Sequence, residues 1–270
     1  MARRSSASGD RTGFGALLRK LPPLRGLLPL VLFLAGWEIF GPAQSPYFPP
    51  PSTWWTSVVE LGQRGRLLPA IGATLLSFVY GLTTAALVGG VIGMLIGVSR
   101  IARRALGPLL EFCRALPPPV VVPVAILLLG YGQNLKLLVV AWAAIWPILL
   151  NTASATSLID PLLVDVGRTF RLGTSTRVRK IIAPAAVPGF LLGVRVAVPF
   201  AIIITLLVEM LTLVPGIGSL IVRAQREYQS AQVYGLLVLV GMLGFLLNNG
   251  FALVEGFILR HRPPRAHESM

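Results

Sequence analysis

Ionisable residues inside apolar stretches are the groups in this 270-residue sequence that could do chemistry at membrane depth. Glu38, Glu209 and Glu255 are the acidic ones, and Arg195 is the basic one. Charges in lipid are costly, so each is a candidate for function. The carboxylates are not closely spaced, so no general acid–base pair is visible. Arg195 and Glu209 are about 21 Å apart along a helix and cannot pair on it.

Motifs for nucleotide binding and hydrolysis are absent from the sequence. It lacks Gly-x-x-x-x-Gly-Lys-Ser/Thr, His-Glu-x-x-His and Gly-x-Ser-x-Gly. One cysteine, Cys113, excludes an intramolecular disulfide and a cysteine metal cluster. The two histidines, His261 and His267, are expected to be solvated in the C-terminal tail. We therefore expect no catalytic residue, metal site or bound cofactor, and a transporter or channel is the more economical class.

Composition indicates a helical membrane protein with several spans. Hydrophobic residues make up 54% and charged residues only 13%, against about 25% charged in average soluble domains. A span needs about 20 mostly apolar residues. We predict an all-α fold with a basic N-terminal tail (1–26), a six-span domain (27–260) and a C-terminal tail (261–270). The six apolar stretches cover about 27–40, 68–98, 117–129, 135–155, 187–213 and 233–259.

The distribution of basic residues predicts the orientation. The net charge is +14, and 18 of the 24 Lys and Arg residues fall on the side of both termini. Cytoplasmic segments of membrane proteins carry this excess, so both termini are expected in the cytoplasm. Anionic lipid then accounts for the positive charge without nucleic acid. Five basic residues are assigned to the other side: Arg64, Arg66, Lys136, Arg223 and Arg226.

The segment between the fourth and fifth apolar stretches is the most informative. Asp160 can cap a helix with Pro161 at its first position, and Gly173 can end it. A second helical piece follows. Pro184 and Pro188 are expected to end it, so that the fifth span starts as a new helix. The short helix has an apolar face, which suits either lipid headgroups or a groove on a soluble partner. Chemistry alone leaves both alternatives open.

This segment resembles the cytoplasmic motif of the inner-membrane permeases of binding-protein-dependent ABC importers. The family motif reads Glu-Ala-Ala, three residues, Gly, nine residues, Ile-x-Leu-Pro. Arg171 stands where the family has Gly, and Gly173 lies two residues later. A bulky cation there suggests a matching acidic site on the partner. The other equivalent positions are Asp165 for Glu, Val166 and Gly167 for the two Ala, Ile181 for Ile, Ala183 for Leu and Pro184 for Pro.

The resemblance extends over residues 45–260 and is greatest for permeases of the nitrate, sulfonate and taurine type, which include importers of thiamine-precursor pyrimidines. Phe48-Pro-Pro-Pro-Ser52, Arg114 to Pro123, Trp146 to Thr152 and Val208-Glu209-Met210 carry it. It implies type I importer architecture in a bacterial plasma membrane. It also implies a second permease copy, two P-loop ATPase subunits that use ATP and Mg, and an extracytoplasmic substrate-binding protein. The segment 160–173 would be the coupling helix.

Polar groups within the spans are weaker candidates. We retain Glu209, Arg195, Asn151 and Tyr80 as residues that could line a translocation pathway. Glu209 could equally be a hydrogen-bonded structural carboxylate, and Arg195 could meet an anion or hold neighbouring helices together. The Gly89-x-x-x-Gly93-x-x-x-Gly97 pattern favours close helix packing. Two further residues, Trp142 and Trp146, share a helix face, and core packing is preferred to a ligand site.

The sequence therefore predicts the permease subunit of an ABC importer for a small solute such as a sulfonate, taurine, nitrate or a pyrimidine precursor. The alternative is an ATP-independent secondary transporter or channel. Secondary transporters often contain inverted repeats, and no convincing internal repeat is visible here.

Overall fold

The structure is a computed structural model that describes residues 24–41 and 45–260. Within these ranges the chain forms helices and loops without a β-strand, which confirms the all-α prediction. The predicted C-terminal tail and residues 1–23 of the N-terminal tail lie outside the described residues. The helices are α1 (Leu24–Phe40), α2 (Pro51–Gln63), α3 (Leu67–Val98), α4 (Arg100–Ala115), α5 (Pro118–Leu129), α6 (Gln133–Ser157), α7 (Pro161–Thr169), α8 (Thr174–Arg177), α9 (Ala183–Thr212), α10 (Ile217–Arg226) and α11 (Ser230–Leu259).

Four helices of the described chain are long and apolar enough to cross a membrane: α3, α6, the continuous helix Thr174–Thr212, and α11. The pair α4 and α5, bent by 90°, makes at most a fifth, and α1 contributes a shorter apolar helix. The predicted third span is therefore only the second limb of this bent pair. Leu116 at the bend is extended, with ψ 118°, because the following proline disfavours helical geometry.

Helix α6 lies at the centre of the core, packed between α3 and α9. Glycines of α3 allow the close approach. A Cβ on Gly93 would lie 2.5 Å from the Leu149 carbonyl oxygen, and one on Gly97 would lie 2.6 Å from that of Ala153. The packing role predicted for the glycine repeat is confirmed.

The two ends of the helix bundle differ in charge. We call the end that holds α7, α8 and the first turn of α4 the basic end, since it carries several arginines. The opposite end holds α2 and α10, two short helices that hydropathy did not predict. There Trp54 stacks on Tyr234 with ring centroids 5.2 Å apart, and its indole N–H donates to the Pro49 carbonyl at 3.0 Å.

Candidate functional site

An ion pair is completely buried in the half of the bundle near the opposite end. Lys136 Nζ lies 2.8 Å from Glu209 Oε1, and both side chains have no exposed surface. Lys136, counted above among the basic residues of the other side, belongs to α6 and does not lie in a loop. The reason is that α6 begins at Gln133 and turns this side chain into the core.

Further hydrogen bonds complete the coordination of the two charges. The Thr74 hydroxyl donates to the Glu209 carboxylate at 3.0 Å, and the Gly218 amide donates to it at 2.9 Å. Thr74 also accepts from the Ile217 amide at 2.9 Å. Lys136 donates to the Pro215 carbonyl at 2.9 Å. The network therefore joins α3, α6, α9 and the start of α10.

The loop before α10 passes so close to this network that residue 216 must be a glycine. A Cβ at Gly216 would lie 2.0 Å from the Glu209 carboxylate. The chain leaves α9 through Leu213 in the left-handed region, with φ 56°, and returns into the core as α10. Because buried charges must be paired and hydrogen-bonded, the network holds α10 against α9. Lys136, Glu209 and Thr74 are completely buried, so their side chains cannot act on a solute in this conformation.

The other candidate pathway residues lie apart from Glu209. Arg195 Nη1 on α9 lies 3.3 Å from Glu255 Oε2 on α11, and joins these two helices. The Asn151 side chain donates to the Pro147 carbonyl of its own helix at 2.8 Å. Tyr80 is 57% exposed on α3. The structure does not bring the four together, so their role in a pathway stays a prediction.

Two tryptophans on α6 have buried indole nitrogens without an acceptor among the described residues: Trp142 and Trp146. Their rings meet edge to face at 5.1 Å, a geometry in which aromatic pairs attract one another. They line a cavity of about 300 Å³ between α3 and α6 that is almost wholly apolar. This agrees with a packing role.

The segment at the basic end forms helix α7, shorter than predicted. Asp160 Oδ1 accepts from the Leu162 amide at 2.9 Å, which confirms Asp160 as the cap. The helix ends at Thr169 rather than at Gly173. Arg171 takes a left-handed conformation, with φ 51°, which breaks the helix. Gly173, with φ −57° and ψ 152°, instead precedes α8.

Arg171 occupies a conformation that glycine adopts more readily than arginine. It is the position at which the resembled motif has Gly. A glycine at this position would adopt the same conformation without the steric cost that arginine bears.

The chain does not begin a new helix at Pro184 as expected. Residues 178–182 form a wide π turn that carries α8 directly into α9, so Thr174–Thr212 is one helix. Pro184 has no amide hydrogen to donate within a regular helix, and the wide turn precedes it. Ile181 lies in this turn and Pro184 in the first turn of α9.

Apolar side chains of α7 and of the turn after it are exposed on the described part of the chain. Phe170 is 73% exposed, Leu162 67% and Leu163 50%. Asp165, Val166 and Gly167 lie within this helix. Apolar side chains projecting from a short helix are typical of a helix that enters a groove.

Comparison with known proteins gives one matching family. Residues 85–258 match the family described as binding-protein-dependent transport system inner membrane component. A nitrate import permease of Leptolyngbya laminosa is 32% identical over 76% of this chain and 74% of its own. A bicarbonate transport permease of Synechococcus elongatus is 28% identical over 96% of this chain and 99% of its own. A Bacillus subtilis protein named for aliphatic sulfonates transport is 27% identical over 88% of both chains.

Solved structures share the fold. A chain of the MetNI methionine ABC transporter, in an inward-facing crystal form, superposes with a TM-score of 0.63 at 17% identity. The match covers 73% of this chain and 98% of that one. A chain of an amino acid ABC transporter crystallised with histidines gives 0.58 at 13% identity, over 75% and 97%.

Proposed function

The chain belongs to the family of binding-protein-dependent transport system inner membrane components, and on that premise we propose that it imports a small oxyanion with a separate ATPase. It is a permease of the ABC transporter type, as its relatives are. Those relatives are named for sulfonates, bicarbonate and nitrate. These solutes are all anions with oxygen acceptors, and this shared chemistry supports the substrate class.

In this proposal the basic end lies in the cytoplasm and α7 is the coupling helix. The support is that α7 projects an apolar face that no other described helix covers. Closure of the ATPase dimer would move α7 as a rigid body and rock the attached spans. Because α8 continues into α9 as one helix, displacement of α8 would be transmitted along the whole span.

The contact to the ATPase would involve the positions that match the family motif. They are Asp165, Val166, Gly167, Arg171, Gly173, Ile181 and Pro184. Phe170, exposed beside them, would enter the groove of the ATPase, and the guanidinium of Arg171 would meet an acidic site there. Charge reversal at Arg171 without loss of ATPase binding would contradict that last contact.

We also propose that a second copy of the chain and an extracytoplasmic binding protein complete the transporter. Helix α11 buries only Gly235 and Leu236 among its residues, which leaves most of its apolar surface to lipid or to another copy. The translocation path would lie between the two copies. ATP and Mg would be used by the ATPase subunits.

Co-purification of the tagged chain from its native membranes tests the proposal. The first variant replaces Asp165–Gly173 by a Gly/Ser linker, and the second is Phe170→Ser. The matched control is Ile101→Ser, at a residue of the same end that is 82% exposed but lies on α4. A P-loop ATPase should accompany the wild type and the control and be lost from both variants. Native mass spectrometry of the complex should give two copies of each subunit.

Transport assays with the co-purified complex then test the substrate class. Labelled sulfonate, nitrate and bicarbonate are offered to proteoliposomes with the binding protein and ATP. ATP-dependent uptake of one of them is expected. Uptake that persists without any ATPase would instead indicate a secondary transporter or channel, and uptake of uncharged solutes alone would contradict the oxyanion class.

A further inference from the structure

A cavity of about 500 Å³ opens at the basic end, beside the proposed coupling helix. It lies between the last turn of α3, the first turn of α4, the end of α6 and the segment α7–α8. Three arginines contribute to its lining: Arg100 and Arg103 from α4, and Arg177 from α8. Asp165 supplies the only carboxylate of the described lining.

The charges of this cavity are unbalanced. Neither Arg100 nor Arg177 forms an ion pair within the described parts of the chain, and Arg103 donates to the Gly97 carbonyl at 3.5 Å. Three arginines line one space, and like charges repel one another. A negative charge in the cavity would offset that repulsion.

The start of α4 adds a second positive contribution. This 16-residue helix begins at Arg100; its Ala102 amide already donates to the Ser99 hydroxyl at 3.1 Å, so the helix dipole is what the terminus adds. The N-terminal end of a helix carries about half a positive charge and favours anions. The wall also includes three apolar side chains: Val98, Ile159 and Ile182.

We propose that this cavity is an oxyanion site, in which Arg100, Arg177 and the first turn of α4 hold a group of the phosphate or sulfate type. Arginine suits such a group because its planar fork donates two parallel hydrogen bonds. The oxyanion is either a free ion or the phosphate of a lipid headgroup, since the two share this chemistry. Bound there, it ties α4 to α8 and fixes the position of the neighbouring segment.

The test uses the full chain in lipid nanodiscs and compares two double variants of equal charge. Arg100→Gln/Arg177→Gln removes the cavity arginines. Arg104→Gln/Arg179→Gln removes two exposed arginines that do not line the cavity. Thermal unfolding is followed by tryptophan fluorescence while inorganic sulfate replaces chloride at constant ionic strength. One set of nanodiscs is zwitterionic, and the other contains anionic phosphatidylglycerol.

If a free oxyanion is the ligand, sulfate should raise the melting temperature of the wild type saturably in zwitterionic nanodiscs. The cavity variant should then bind sulfate at least about tenfold more weakly, since each charge-assisted hydrogen bond contributes about this factor. The control variant should stay within about twofold of the wild type. If the lipid headgroup is the ligand, phosphatidylglycerol rather than sulfate should stabilise the wild type, and the cavity variant should lose that gain.

Equal losses in the two double variants would overturn the site and leave only a general surface charge effect. The absence of any shift in the wild type with sulfate and with anionic lipid would overturn it as well. Arg177→Lys keeps the positive charge but not the planar guanidinium, and it serves as the test if the double variant does not fold. It should weaken sulfate or lipid binding, and unchanged affinity would contradict the arginine contact. None of these readouts depends on the ATPase or on transport.

Discussion

Replacing Lys136 by methionine should destabilise the protein strongly, because it removes one partner of the buried ion pair. Methionine has a similar length but no charge. The fully buried Glu209 carboxylate would keep the Thr74 hydroxyl and the Gly218 amide as donors but lose its counter-charge. Removing one partner of a buried ion pair costs about 3–5 kcal/mol. The Pro215 carbonyl also loses its donor, which adds about 1 kcal/mol.

The reciprocal change, Glu209→Gln, should have a similar effect. The amide oxygen can still accept from Gly218, but the ammonium of Lys136 then lacks a counter-charge, at about 3–5 kcal/mol. The double variant Lys136→Met/Glu209→Gln buries no charge. It should lose only hydrogen bonds, about 1–3 kcal/mol. The two single losses should therefore exceed the double loss by several kcal/mol.

The assay is unfolding in mixed micelles by added SDS, followed by circular dichroism and tryptophan fluorescence. Leu138→Met on the same helix, at a residue that is 38% exposed, controls for methionine itself. A double variant as unstable as the sum of the two single variants would show that the charges are not coupled. A Lys136→Met protein within about 1 kcal/mol of the wild type would refute the reasoning as well.

Three other substitutions follow from the backbone. Gly216→Ala should lower the free energy of unfolding by about 3 kcal/mol or prevent folding, because its Cβ would overlap a buried carboxylate. The same SDS titration measures this loss. A loss no larger than that of Gly241→Ala, where the space is open, would contradict the prediction. Gly93→Ala should cost about 1–3 kcal/mol, since its Cβ would lie 2.5 Å from a carbonyl oxygen of α6; unfolding at the wild-type SDS concentration would argue against that packing. Arg171→Gly should keep or raise the melting temperature and Arg171→Val should lower it, because a left-handed residue other than glycine costs about 1 kcal/mol; identical melting temperatures of these two variants would refute this.

Local patterns predicted the α7 segment well at its start and less well at its end. The cap at Asp160 depends on one side chain and the next few residues, so the sequence is sufficient to identify it. The end depends on which residue takes the left-handed conformation. A glycine two residues away was the natural choice from propensity, yet the structure places Arg171 there.

Hydropathy predicted three of the long spans to within a few residues, but the fifth begins at Thr174 rather than near 187, and α2, α4 and α10 were missed. These helices are short or amphipathic, and an averaging window does not detect an apolar face that alternates with charge. The 90° bend between α4 and α5 was likewise invisible, although the prolines that cause it stand in the sequence.

By itself, the sequence determined the membrane class, the all-α fold and the family, because composition, span length and motif are properties of the chain read in order. It also identified Glu209 as a group that needs a partner. Only the tertiary structure decided that the partner is Lys136, with Thr74 and Gly218 beside it. These residues come from four separate elements, and the energy that keeps a buried charge depends on distances between helices. Such distances are set by packing, which no local pattern encodes.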